Sequence, residues 1–314
     1  MIRRILCSLT ITLAACGRVG SSPVPEPAIW LLSSPVLAAD SIIAPLQGGL
    51  VVLDTATIRP VLKARGGSES ANTIATFTTY QGTRYHPEMI RAITEDSAVV
   101  IPFSRAVVTA ASGAGKGLLL DAQEMPAEDV PRLIRMLRGL ASALRDRGRT
   151  PFGVIVPASD TLAYPAEELA RAADLVVVRF GDAHRPGTPA GPLATPEVVR
   201  RELGIRLNGL GASRLAAEFP LYGYIWNRDS STRAITFREA NAILLQEAGA
   251  FRRDPASRYL TASLQNGSTI WVPDAETIRS LIAVTQSRGV NTIALTGING
   301  ADPAIIAGVS ELRR

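Results

Sequence analysis

The residues best suited to acid–base chemistry stand together where an apolar run turns polar, in Gly117–Glu124 (GLLLDAQE). Alternate side chains of a strand share a face, so Asp121 and Gln123 point one way and Glu124 the other. A carboxyl with a raised pKa can hold a proton near neutrality and deliver it. A glutamine amide donates hydrogen bonds but delivers no proton. Glu124 reaches the face of Asp121 only if a bulge at the strand end re-aims it; otherwise it is a surface or loop-packing residue. Other chemistries find weaker support. His86 and His184 are the only histidines and lack metal-ligand spacing. Gly113–Gly117 (GAGKG) lacks the full phosphate-loop spacing and precedes a strand, not a helix. Ser104 and the other serines lack a Gly-x-Ser-x-Gly elbow. Neither a metal nor a cofactor is expected.

These residues need a scaffold, and the chain has the material for one. Of 314 residues, 46% are hydrophobic and 19% charged, a balance that excludes disorder for the bulk. Apolar runs at Ile29–Leu32, Leu50–Leu53, Ile74–Thr79, Gly117–Asp121, Phe152–Pro157, Leu175–Phe180, Leu215–Pro220 and Asn291–Thr296 read as buried parallel strands. Between them lie amphipathic stretches. The clearest is Glu128–Arg147, where Leu133, Ile134, Leu137, Leu140, Ala141 and Leu144 keep helical spacing. Others are Pro165–Ala173, Pro196–Leu203, Phe237–Ala248 and Ala275–Arg288. The alternation predicts an α/β fold, a (β/α)8 TIM barrel in preference to an open sheet. One segment departs from it. Tyr259–Leu264 and Ser268–Val272 flank Asn266-Gly267 and read as a hairpin. This places a small α+β insertion, residues 250–273, between strand 7 and helix 7.

The N-terminus reads separately. Arg3 and Arg4 precede a short apolar run that ends in Leu13-Ala14-Ala15-Cys16. A run this short suits a signal peptide and not a membrane span. The ending resembles a bacterial lipobox, which implies cleavage before Cys16, lipidation of Cys16 and membrane attachment at the cell envelope. Residues 16–27 are then a Gly-, Ser- and Pro-rich tether, and 28–314 the barrel. The other cysteine, Cys7, lies in the signal, so the body carries no disulfide or cysteine-zinc site. The net charge of +5, almost all arginine on the basic side, falls to +3 without Arg3 and Arg4. No basic block occurs in the sequence, so the excess reads as solvated surface and no nucleic-acid partner is expected.

Several stretches resemble the chitinase-like family 18 glycoside hydrolases, especially their bacterial spore-germination-type branch. Gly117–Pro157 is similar to that family's fourth strand, fourth helix and fifth strand; Val178–Gly187 (VRFGDAHRPG) to its Met-x-Tyr-Asp motif; Phe219–Trp226 (FPLYGYIW) to its Pro-Leu-Tyr-Gly signature; Ile293–Pro303 (IALTGINGADP) to its eighth strand; and Tyr80–Pro87 (YQGTRYHP) to its third-strand loop. The resemblance implies a site at the strand C-termini and an amino-sugar glycan, peptidoglycan or chitin-like, as ligand. In that family the substrate's acetamido group is the nucleophile, one Glu is the acid, and an Asp and a Tyr hold the acetamido. Here the matching positions read Lys116, Leu119, Asp121 and Gln123, with Glu124 where the family usually has Gly. Gly181 replaces the Tyr, Asp182 is kept, and Thr296 replaces the floor Trp. The resemblance thus implies catalytic-position residues Asp121, Gln123, Glu124 and Asp182, and cleft residues Tyr80, Gly181, Tyr222, Tyr224, Trp226 and Thr296. Because the losses coincide, a glycan-binding protein without the standard hydrolysis is favoured. The alternatives are a hydrolase using Glu124, or Asp121 with Asp182, and a structural envelope protein that binds no glycan.

Overall fold

A computed structural model describes residues 28–37, 48–54, 59–64, 73–82, 84–181 and 183–312, with 64 and 309–312 as backbone only. The expected signal and tether, Cys16 and Asp182 lie outside the described residues.

All eight expected strands form, each within one residue of the expected bounds at either end. They are β1 Ala28–Leu32, β2 Leu50–Leu53, β3 Ile74–Thr78, β4 Gly117–Asp121, β5 Phe152–Pro157, β6 Leu175–Arg179, β7 Leu215–Pro220 and β8 Thr292–Thr296. They pair in parallel in the order β1-β8-β7-β6-β5-β4-β3-β2. Gly48, just before β2, joins the two ends: its N–H donates to Leu31 O at 3.0 Å, and its carbonyl accepts from Ser33 Oγ at 2.7 Å. An extra strand, Pro60–Ala64, runs antiparallel along β2. The architecture is the (β/α)8 barrel.

Side chains alternate between lumen and helix layer, which is why strands buried on both faces read as unbroken apolar runs. Leu32, Ile74, Leu119, Ile155, Leu175, Val177, Ala216 and Ala294 fill the lumen. The opposite faces of the same strands pack under the helices. The helices are α1 Pro87–Glu95, α2 Ser97–Ala110, α3 Val130–Arg145, α4 Ala166–Ala172, α5 Pro196–Leu207, α6 Phe237–Gln246, α7 Ala275–Ser287 and α8 Pro303–Leu312. Helices α3 to α7 fall on the expected amphipathic stretches. Helix α2 escapes sequence reading because SAVVIPFSRAVVTA is rich in β-branched residues and carries Pro102 inside. Asp96 starts it by accepting from Ala98 N at 2.8 Å.

The insertion between β7 and α7 is larger than residues 250–273. The expected hairpin forms, with Leu260–Ser263 antiparallel to Thr269–Val272 and Gly267 at φ +86°. The sheet also takes in Tyr222–Trp226, Thr232–Thr236 and Arg252–Arg253. The sheet packs against α6 through a separate core of Ile225, Ile235, Ala240, Leu244, Ala262, Leu264, Ile270 and Val272. Tyr222–Trp226 follows β7 after only Leu221, so in the sequence both strands read as one apolar segment.

Candidate functional site at the barrel mouth

At their C-terminal ends the strands change from apolar to polar. Thr78, Asp121, Arg179, Glu218 and Thr296 are buried or nearly so. Asp121 is 0% exposed, and its carboxylate is saturated. Oδ1 accepts from Gln123 Nε2 and Arg179 Nη1, both at 3.0 Å. Oδ2 accepts from Tyr85 Oη at 3.1 Å, Arg179 Nη1 at 3.1 Å and Thr78 Oγ1 at 3.3 Å. The other donor of the Gln123 amide goes to Ile155 O at 2.9 Å. With two acceptors in front of the nitrogen, Gln123 Oε1 must face the other way.

Arg179 links the two buried carboxylates. Its Nε donates to Glu218 Oε1 at 3.0 Å, and its Nη1 also reaches Tyr85 Oη at 2.5 Å. Burial alone would lower the Arg179 pKa, but Asp121 and Glu218 reverse this and hold it well above its ordinary value. Burial pushes the Glu218 carboxyl up, only partly opposed by Arg179. Glu218 Oε2 has no hydrogen-bond partner among the described residues. Burial likewise raises the phenols of Tyr85 and Tyr222 well above their usual range, and Tyr224 to about 12. These hydroxyls stay protonated as donors at neutral pH.

Above this layer lies a cavity of about 350 Å³, lined by Tyr80, Tyr85, Gln123, Glu124, Arg179, Gly181, Arg185, Tyr222, Tyr224 and Thr296, among others. A second cavity of about 730 Å³ shares Val36, Tyr80, Pro186 and Tyr224 with it and runs out over the insertion. Gln123 is thus the amide at the cavity floor, while Asp121 lies beneath and does not line it. Tyr80 is half-buried and packs edge-on against Tyr85 with centroids 5.0 Å apart. Trp226 lines neither cavity. It donates from Nε1 to Thr188 O at 3.1 Å and supports Tyr224 edge-on at 5.6 Å. His184 turns its Nδ1 to Pro189 O at 2.9 Å.

Glu124 sits on the rim. The Tyr164 hydroxyl donates to Ala122 O at 2.7 Å and accepts from Met125 N at 3.2 Å, pinning the turn after β4. Within that turn Glu124 adopts φ +59°, a left-handed conformation disfavoured for residues other than glycine. The turn places its half-exposed carboxylate on the cavity, 3.2 Å from Arg185 Nη1. Re-aiming therefore comes from a left-handed residue and not from a bulge.

Sequence reasoning did not single out Arg179, Glu218 or Tyr85. The available signal was a lone charge inside each of two apolar runs, Leu175–Arg179 and Leu215–Pro220. A charge in a buried strand must be paired, so the two implied each other.

No protein-family model matches the chain, and no curated protein does. Solved structures match over most of its length. The chitinase of Chromobacterium violaceum superposes with a TM-score of 0.71 at 17% identity, over 90% of this chain and 98% of that one. The two chains share the barrel fold. The spore cortex-lytic enzyme SleL of Bacillus cereus gives 0.69 at 16%, over 88% and 72%. A mutant class V chitinase from Nicotiana tobaccum, in complex with NAG4, gives 0.63 at 15%, over 86% and 93%. At these identities the likeness concerns the fold.

Proposed function

We propose that this chitinase-type barrel binds N-acetyl-amino-sugar glycans at the cell envelope and does not cleave them by the acid mechanism of family 18. The observation that carries the proposal is the saturation of Asp121. All its acceptor capacity is used by Arg179, Gln123, Tyr85 and Thr78, and none of its surface is exposed. A carboxylate so enclosed cannot orient an acetamido group, and its neighbour Gln123 holds no transferable proton. What remains is a recognition surface. Gln123 Oε1, the Tyr80 and Tyr224 rings and the Tyr hydroxyls supply the mix of apolar face and directed polar groups that small-molecule sites use. The NAG4 complex of the tobacco protein supports the choice of ligand class. Cys16, outside the described residues, would carry the lipid; loss of labelled fatty acid in Cys16→Ser is the check.

The test is calorimetric titration with N-acetylglucosamine oligomers and muropeptides, alongside product analysis. Binding without turnover is expected. No binding of either series would defeat the proposal in favour of a structural envelope protein. A second reading has one specific observation behind it: Glu124, the left-handed residue, presents its carboxylate to the cavity. Turnover that vanishes in Glu124→Gln would establish that reading instead.

A further inference from the structure

Basic residues that look scattered in the sequence recur around the face opposite the mouth. In a (β/α)8 barrel the helix C-termini and strand N-termini share that face. Arg138 and Arg145 of α3, Arg171 near the end of α4, and Arg214 just before β7 line one small cavity of about 130 Å³. Lys116 precedes β4, and Arg288 follows α7. Helix C-termini favour nearby cations, and Arg214 is used in that way, donating to Ala170 O and Ala173 O at the end of α4. Arg171 is paired with Glu167. The remaining four do neither. Lys116, Arg138, Arg145 and Arg288 are exposed, and among the described residues their side chains have no hydrogen-bond or ion-pair partner. The nearby acids are Asp146 and Asp174, and Asp174 already accepts from Phe152 N at 3.0 Å.

The chain enters the barrel on the same face. Ala28, the first residue of β1, donates its N–H to Asn291 O at 2.8 Å, three residues beyond Arg288. The twelve residues 16–27 that precede Ala28 can span at most roughly 40 Å. We infer that this N-terminal face of the barrel is an electrostatic docking surface for an acidic phospholipid layer. Unpartnered cations then lie against lipid headgroup phosphates, and the sugar-sized cavities open away from the membrane. A surface of this kind acts within a Debye length and weakens with salt. It goes beyond the reading of the mouth and does not depend on it.

The test uses residues 16–314, the chain without its expected signal, carrying Cys16→Ser so that no lipid is attached, in sedimentation with vesicles. One set contains phosphatidylglycerol and phosphatidylcholine, the other phosphatidylcholine alone. Two triple variants remove the same charge: Lys116→Gln/Arg145→Gln/Arg288→Gln on the docking face, and Arg228→Gln/Arg252→Gln/Arg279→Gln at exposed sites elsewhere. The expected result is salt-sensitive binding to the acidic vesicles that falls by roughly fivefold per residue in the first triple variant and hardly changes in the second. Equal losses would show that only net charge matters and would overturn the proposal, as would no loss in either. Stronger retention on alginate than on the vesicles, lost in the first variant, would overturn it in favour of an acidic polysaccharide. The first variant must keep the parent's thermal midpoint and near-UV circular dichroism; a fall in both would point to misfolding, and a less dispersed pair, Lys116→Gln with Arg145→Gln, would then decide.

Discussion

The floor and the rim of the mouth carry similar charges with opposite consequences. On the floor, Arg179 binds two carboxylates that water does not reach. On the rim, Arg185 binds one carboxylate, and about half of each side chain remains exposed. Burial makes the floor a structural lock: each member is held because an unpaired buried charge would be costly. Exposure makes the rim pair weak, worth about 0–1 kcal/mol, and leaves both partners available to a ligand. Two residues apart on one strand end, Asp121 and Gln123 have joined the lock, while Glu124 stays with the solvent.

The sharpest way to break this contrast is Arg179→Met. It strands two buried carboxylates, so a loss of roughly 3–5 kcal/mol is expected in urea unfolding at neutral pH. Adding Glu218→Gln should recover part of that loss, and a purely additive double variant would show that the two do not interact. On the rim, Arg185→Met should cost less than about 1 kcal/mol.

Gln123→Glu tests whether the floor can be returned to acid chemistry. Ile155 O loses its donor, and the new carboxyl meets Asp121 Oδ1 where the amide nitrogen stood at 3.0 Å. A destabilisation of about 1–3 kcal/mol at neutral pH is expected, diminishing as acid protonates the pair, with no gain of hydrolysis because Asp121 stays enclosed. Appearance of turnover would show that the floor is less committed than its hydrogen bonds imply.

Glu218 gives the floor a pH signature. Its pKa is higher in the folded chain than in the unfolded one, so the folded state binds the proton more tightly. Its contribution is complete below the ordinary glutamate pKa and is lost as pH rises through the raised value. Glu218→Gln should flatten that part of the stability-versus-pH curve; an unchanged slope would refute the assignment. The smallest effect belongs to Glu124→Gly, which relieves a left-handed backbone. It is expected to leave stability unchanged or raise it by up to about 1 kcal/mol while weakening glycan binding. Unchanged binding would remove Glu124 from the recognition surface.

How far the sequence could be read depended on how local the information was. Each barrel strand announces itself, since Leu175–Arg179 or Gly117–Asp121 is apolar on both faces whatever surrounds it. The Asn266-Gly267 turn is equally local. Helix α2 was hidden because Pro102 and its valines favour other structures, and tertiary packing overrides them. The floor was hidden for another reason. A motif-based reading looks for carboxylates where a family keeps them, whereas here a charge on β6 is answered by one on β7, and only the closed sheet brings Arg179 against Glu218. The basic face is likewise invisible in one dimension, because Lys116, Arg145 and Arg288 come to one end of the barrel only after strands and helices have been laid alternately up and down. Trp226, expected at the cleft from its place in the aromatic stretch, serves instead to support Tyr224.

That position gives Trp226 an optical use. Its indole N–H is fastened to Thr188 on the segment between β6 and α5, and its ring touches Tyr224 at the cavity wall. Of the chain's three tryptophans, Trp30 lies on β1 and Trp271 pairs with Tyr224 across the inserted sheet. A sugar settling against Tyr224, or the segment letting go of the indole, would change the emission of Trp226 without disturbing Trp30. The fold therefore contains its own fluorophore for watching the mouth.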